Sequence, residues 1–206
     1  MSAVELVDSE GLLPRVRQPG ADLGQVRADV DRLAGMLAAG TAAHLSRAGH
    51  RLDDVLCVVI LRGGALLYPA FQSAMRLAAF QFVAAQRQPD GDVEISYRSE
   101  VPHRDYAAVI YLDAIAATGR TITAAANADR YGNASAYCAL LCASQQATRY
   151  LNGRGCQVVG FALRERLDGD LVSPDLGDLD AGDLMADPQQ FRTGPSTAPA
   201  GLLAIG

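Results

Sequence analysis

Residues 107–126 read A-A-V-I-Y-L-D-A-I-A-A-T-G-R-T-I-T-A-A-A, and no other stretch narrows the possible folds as sharply. Val109, Ile110, Tyr111 and Leu112 form a short run that is apolar on both faces, the pattern of a strand buried in a parallel sheet. An alanine-rich helical run follows. Strand and helix are therefore joined almost directly, with Asp113 at the strand's carboxyl end and small hydroxyl residues at the helix amino terminus. Such a junction is a phosphate cradle. Exposed backbone N–H groups, the positive end of a helix dipole, the hydroxyls of Thr118 and Thr121 and the Arg120 guanidinium converge where a phosphate monoester can lie. Asp113 can then accept hydrogen bonds from sugar hydroxyls. The plainer reading is a strand-to-helix turn with a threonine cap; the ordered coincidence of hydrophobic strand, acid and T-G-x-T favours the cradle. Two commoner phosphate loops are excluded: the chain has no lysine for a Walker loop, and Gly119 stands alone rather than in G-x-G-x-x-G.

The rest of the chain repeats the same alternation. Residues 1–20 read as irregular, with Pro14 and the turn pair Pro19-Gly20. Asp22 is placed to cap a helix while Gln25 reaches back as in a capping box, and Val26, Val30, Leu33 and Leu37 fall on one face of it. A second buried strand is expected at Val55–Leu61, followed at once by Arg62-Gly63-Gly64-Ala65. Glycines there let backbone approach an anion, and Arg62 can grip it in bidentate fashion. A glycine turn with one exposed arginine is the alternative, and position favours the first: open α/β sheets bind ligands at the carboxyl ends of their strands. Pro69 fits the start of a helix. Phe80 to Ala85 reads as a strand ending near Arg87, and 88–92 as a turn. Val93, Ile95 and Tyr97 alternate with polar residues as in a half-exposed hairpin arm, either a lid or a plain surface hairpin. Ala136 to Ala143 and Val158 to Ala162 complete the strands, with a helix over Gln145 to Asn152. Five or so strands separated by helices imply an α/β fold with a mostly parallel central sheet and helices on both faces. The stretch 171–183, L-V-S-P-D-L-G-D-L-D-A-G-D, reads as a loop dense in acids and glycines.

A chain of 206 residues suits one domain, residues 1–206, with a core over about 20–185 and a tail over 186–206 rich in Pro, Gly, Thr and Ala. The tail is either an arm packing on a neighbouring subunit or loose chain. The net charge of −5 argues against nucleic acid as a partner. No apolar run reaches the length of a membrane span, and the start Met-Ser-Ala-Val-Glu lacks the features of a signal peptide, so a cytoplasmic location is expected. Cys57, Cys138, Cys142 and Cys156 have no metal-ligand spacing and read as reduced core thiols; His44, His50 and His103 are scattered.

Together these segments resemble the uracil phosphoribosyltransferases, type I phosphoribosyltransferases, from about residue 10 to residue 185. The helix V-R-A-D-V-D-R-L-A-G-M-L is similar to the family's first long helix, and V-V-I-L-R-G-G to its pyrophosphate strand and loop. Arg87 falls where the family has a second arginine for phosphoribosyl pyrophosphate (PRPP). Asp113 to Thr121 resembles D-P-M-L-A-T-G-G-S, and the stretch 171–183 resembles the uracil signature Y-I-V-P-G-L-G-D-A-G-D. Ala114 replaces the family's proline and Arg120 its second glycine. Asp175 stands where a glycine is expected, and two extra residues separate Gly177-Asp178 from Ala181-Gly182-Asp183.

The resemblance implies a type I phosphoribosyltransferase-like fold with a hairpin arm and a C-terminal hood loop for the base. It implies transfer of 5-phosphoribosyl from PRPP to a ring nitrogen of a pyrimidine, uracil first, giving UMP and pyrophosphate in pyrimidine salvage. Arg62, Gly63 and Arg87 would hold the pyrophosphate side and Asp113 the ribose hydroxyls. Thr118, Gly119, Arg120 and Thr121 would take the 5-phosphate, with Ala114 and Ala117 also among the PRPP-binding residues. Val172, Gly177, Asp178, Leu179, Asp180, Ala181, Gly182 and Asp183 would take the base, Asp178 also facing PRPP; either Asp178 or Asp180 is the family's functional aspartate. Mg²⁺ would arrive with PRPP without direct protein ligands, and a homo-oligomer, dimer or higher, is implied. The altered base loop keeps open a paralogue using another heterocyclic or aromatic acceptor, and a ligand-binding regulator without turnover is a third reading.

Overall fold

A computed structural model describes residues 2–88, 92–102, 104–128, 131, 134–169, 171–173 and 184. The strands are β1 (Val4–Glu5), β2 (Val55–Leu61), β3 (Ala79–Arg87), β4 (Val93–Arg98), β5 (Ala108–Leu112), β6 (Ile115–Ala116), β7 (Ser135–Ser144), β8 (Cys156–Asp168) and β9 (Leu171–Ser173). The helices are α1 (Leu12–Val16), α2 (Leu23–Arg47), α3 (Tyr68–Ala74), α4 (Arg120–Ala128) and α5 (Gln145–Gly153). The sheet order is β1-β8-β7-β5-β2-β3-β4, with β6 added to β7 and β9 to β8. Pairings from β1 through β3 are parallel, and β4 joins β3 antiparallel.

Alternate residues of the central strands feed two separate cores, as expected of a sheet covered on both sides. Val55, Cys57 and Val59 of β2 with Ile110 and Leu112 of β5 pack under α1, α2 and α3. Leu56, Val58 and Ile60 with Val109 and Tyr111 pack under α4 and α5 through Ile122, Ala125, Ala147 and Leu151. All four cysteines are buried and unpaired in disulfides. Burial pushes the Cys57 thiol far up, so it packs as a neutral apolar group.

α2 begins as expected: the Asp22 carboxylate accepts the Gln25 backbone N–H at 3.0 Å. Only half of the anticipated box forms, because the Gln25 side chain turns forward to donate to Asp29 Oδ1 at 3.1 Å. Val26, Val30, Leu33 and Leu37 are buried, each contributing about 1.5–3 kcal/mol by leaving water.

Residues 1–20 are more ordered than their composition predicts. Asp8 accepts the N–H groups of Leu12 and Leu13 at 3.0 and 2.8 Å and so starts α1, while β1 adds to the edge of β8. In the arm, Ser96 is unpaired between Tyr97, opposite Ala84, and Ile95, opposite Ala85. This bulge shifts the alternation by one, so Tyr97 is exposed and Arg98 turns to the inner face. The stretch from residue 171 also opens as a strand rather than a loop: Gly169, at φ 59°, lets β8 fold back, and Leu171–Ser173 pairs with Arg166–Asp168. Residues 174–183, residues 89–91 of the expected turn, His103 and the residues after Leu184 lie outside the described residues.

Asp29 was not anticipated as a structural acid. It is buried on α2 and takes a two-pronged grip from Arg15 of α1, Nη2 to Oδ1 at 2.6 Å and Nε to Oδ2 at 3.0 Å. The Arg15 guanidinium, seconded by Gln25, holds the Asp29 carboxyl below its usual value of 3.8, against the opposing pull of burial. A depressed folded-state pKa stabilises above the unfolded value and is lost as pH falls through the folded one. Thermal midpoints recorded from about pH 6 down to about pH 3 should therefore fall less steeply for Asp29→Asn than for the wild type. Equal slopes would show that Asp29 carries none of the acid sensitivity.

Candidate active site

The carboxyl ends of β2, β3, β5 and β7 open onto one edge of the sheet, and the motif residues gather there because the strands are parallel and in register. Val59 of β2 lies opposite Leu112 of β5, so the turn after Leu61 faces the turn after Leu112. Beyond β2, Arg62 is exposed and Gly63–Leu66 forms a single 3₁₀ turn; the Leu61–Arg62 peptide is cis. Both glycines sit in close contact, Gly64 against backbone and Gly63 against a side chain. A Cβ on Gly63 would stand 2.3 Å from Asp113 Oδ1, and one on Gly64 would stand 2.2 Å from the Leu112 carbonyl oxygen. The acid of one motif therefore rests directly against the backbone of the other. Arg87 closes β3 opposite Val93, three residues past Ala84, the partner of Leu61.

The loop after β5 is held almost residue by residue. Asp113 is half-buried, its N–H donates to the Ala139 carbonyl at 3.3 Å, and its Oδ1 accepts the Ala114 N–H at 2.9 Å. Ala114 is fully buried and its carbonyl accepts Leu141 N–H at 2.9 Å, so its backbone groups belong to the scaffold. β6 continues the pairing, Ile115 with Cys142 and Ala116 with Ala143. This short strand was not legible as a separate element. Gly119 takes φ 75° and lies against Leu151 and Tyr150 of α5, where a Cβ would come within 3.1–3.3 Å. α4 then starts at Arg120, whose N–H is 3.5 Å from Thr118 Oγ1.

Asp113, Ile115, Ala116, Ala117, Thr118, Gly119, Thr121 and Ile122 line a small recess here, of about 20 Å³. Among the described residues, the backbone N–H groups of Thr118, Gly119 and Thr121 have no acceptor. Donors without acceptors at a helix amino terminus, next to two threonine hydroxyls and an arginine, offer an anion a complete set of partners. Behind the site, the Cys138 thiol is pushed up by burial, with Cys156 and the Asp113 charge acting in the same direction. Among the described residues no group of three or more His, Cys, Asp and Glu is placed to hold a metal ion.

Of the residues expected at the base, only Val172 is described. Its side chain is 3% exposed and packs in the core, and it lies opposite Leu167 in the β8–β9 pair. Gly177, Asp178, Leu179, Asp180, Ala181, Gly182 and Asp183 lie outside the described residues.

A family model described as uracil phosphoribosyltransferase matches residues 35–183. No curated protein matches the sequence. Among solved structures, the AQ2163 protein from Aquifex aeolicus superposes with a TM-score of 0.74 at 18% identity, over 85% of this chain and 94% of that one. TT1426 from Thermus thermophilus gives 0.51 at 15% identity, over 73% of this chain and 93% of that one. A purine phosphoribosyltransferase from Pyrococcus horikoshii gives 0.50 at 15% identity, over 66% of this chain and 84% of that one. At these identities the likeness is one of fold. No helix among the described residues is long and apolar enough to cross a membrane.

Proposed function

This chain belongs to the uracil phosphoribosyltransferase family, and from that membership we propose that it moves the 5-phosphoribosyl group of PRPP onto a ring nitrogen of a pyrimidine, with uracil the leading acceptor. The observation that carries the reading is the contact between Gly63 and the Asp113 carboxylate. It brings the arginine-glycine turn against the acid that opens the phosphate cradle, an order that suits a sugar with pyrophosphate at one end and a phosphate at the other.

In this reading the acceptor nitrogen's lone pair forms the bond to the anomeric carbon as that carbon's bond to pyrophosphate oxygen breaks. The acceptor then loses its N–H proton. Positive charge builds on the ribose and negative charge on the departing pyrophosphate, so the protein's task is positioning and charge stabilisation. Arg62 and Arg87 meet the pyrophosphate, Asp113 accepts from the ribose hydroxyls, and Thr118 to Thr121 hold the 5-phosphate. Mg²⁺, when bound with PRPP, would neutralise part of the pyrophosphate charge. One half-exposed carboxylate fits an ion that keeps its waters and takes its remaining oxygens from the substrate. Val172, through its main chain, and residues 177–183 would read the base, with Asp178 or Asp180 as the functional aspartate.

Arg62→Ala should raise KM for PRPP about ten- to a hundredfold, the value of a hydrogen bond to a charged group, with KM for the acceptor little changed. An effect confined to the acceptor would contradict the assignment.

A second reading keeps the sugar chemistry and changes the acceptor. It is favoured by Asp175 and by the two residues inserted ahead of Ala181, since an insertion in a base-reading loop would shift backbone donors and acceptors by more than hydrogen-bond tolerance. Pyrophosphate release, measured with PRPP and a panel of pyrimidines, purines and aromatic acids, separates the readings. Uracil outcompeting every other acceptor removes the second; PRPP binding without release from any acceptor supports a regulator instead.

A further inference from the structure

We infer that Ser144 is a positioning residue for the 5-phosphate, acting through the peptide between Ala117 and Thr118; the inference rests on the phosphoribosyltransferase reading above. Ser144 ends β7, caps α5 and is fully buried. Its Oγ accepts the Ala147 N–H at 2.9 Å and lies 2.5 Å from the Ala117 carbonyl oxygen. A carbonyl can only accept, so the single hydroxyl hydrogen is committed to Ala117. A trans peptide is planar with its C=O and N–H pointing opposite ways. Holding the Ala117 carbonyl towards Ser144 therefore turns the Thr118 N–H away from it, on the side of the recess.

Neighbouring contacts serve the same end. Ala116 pairs with Ala143, which sets Ala117 beside Ser144, and Gly119 lies on Tyr150 and Leu151 of the helix that Ser144 caps. The Thr123 hydroxyl donates to the Gly119 carbonyl at 3.0 Å, which fixes the next peptide but one in the same manner. Of the N–H groups of Thr118, Gly119 and Thr121, which lack acceptors among the described residues, that of Thr118 thus owes its orientation to a hydroxyl outside the motif. Without it the Ala117–Thr118 peptide can rotate, and one donor no longer faces the anion.

The test compares wild type, Ser144→Ala, Ser144→Thr and Asn152→Ala, titrated with PRPP, ribose 5-phosphate and inorganic pyrophosphate. Asn152 accepts the Val158 N–H at 3.2 Å near the far end of α5, so its variant loosens the same helix without touching the loop. Ser144→Ala should weaken PRPP and ribose 5-phosphate about ten- to a hundredfold and leave pyrophosphate within about twofold. Ser144→Thr should restore both sugar phosphates, and Asn152→Ala should lower the melting temperature alone. If Ser144→Ala does not accumulate folded, Ser144→Cys, near in size and a poor donor, takes its place with the same expectation. Should wild type bind PRPP and the Ser144 variant bind ribose 5-phosphate equally well, the inference falls and the function stands. The same holds if Asn152→Ala weakens ribose 5-phosphate to the same extent. A wild type that binds no PRPP overturns both.

Discussion

Replacing Asp113 by asparagine should lower turnover by about two orders of magnitude or more and leave the fold in place. The side chain is half-buried, and the bond in which Oδ1 accepts the Ala114 N–H at 2.9 Å is one that an asparagine carbonyl oxygen can also make. Its backbone N–H keeps the Ala139 carbonyl in either case. What the variant loses is a negative charge opposite a ribose that becomes positive, and one acceptor for a sugar hydroxyl. In its place stands an NH₂ that competes to donate. Pyrophosphate release alongside a thermal melt tests this. Wild-type turnover in the variant would remove Asp113 from the reaction, and with it the meaning given to the contact with Gly63.

The two glycines after Arg62 should respond in opposite ways to a single methyl group. On Gly64 the methyl meets backbone, the Leu112 carbonyl at 2.2 Å and its carbon at 3.1 Å, so β2 or β5 must shift. Overpacking of this kind costs about 1–3 kcal/mol, which for a chain of this size lowers the melting temperature by roughly 3–10 °C. On Gly63 the methyl meets the end of the Asp113 side chain at 2.3 Å, which can rotate away. Gly63→Ala should therefore melt within about 2 °C of wild type yet lose about a hundredfold in kcat/KM, the usual consequence of moving a site group by an ångström. A Gly63→Ala enzyme as active as wild type would show that the carboxylate's seat against this loop is incidental.

Much of this was legible in the chain itself. Five of the parallel strands announce themselves because a strand covered on both faces needs a largely apolar run, and V-L-C-V-V-I-L and A-Y-C-A-L-L-C-A have few other uses. The motif residues were legible for a similar reason: T-G-R-T needs only the turn it creates. The elements that escaped are those whose partners, near or far in sequence, carry no pattern of their own. β1 and α1 depend on Val159 and on Asp8, β9 depends on the fold-back at Gly169, and Tyr97 is exposed because Ser96 has no opposite number. The meeting of Gly63 with Asp113 needs the pairing of Val59 with Leu112, which no local pattern encodes. Ser144 was harder still, since a serine between an apolar strand and a helix reads simply as a cap.

The stretch from residue 174 to residue 183 starts and finishes on fixed ground. Ser173 is paired to Arg166 on β8, the strand flanked by β1 and β7, and Leu184 is buried with its carbonyl accepting Arg27 Nε at 2.8 Å. Lengthening a segment clamped at both ends costs little closure entropy, because that cost grows only with the logarithm of length. Evolution can therefore swap this cassette, and with it the proposed choice of acceptor, without rebuilding the proposed sugar-phosphate site.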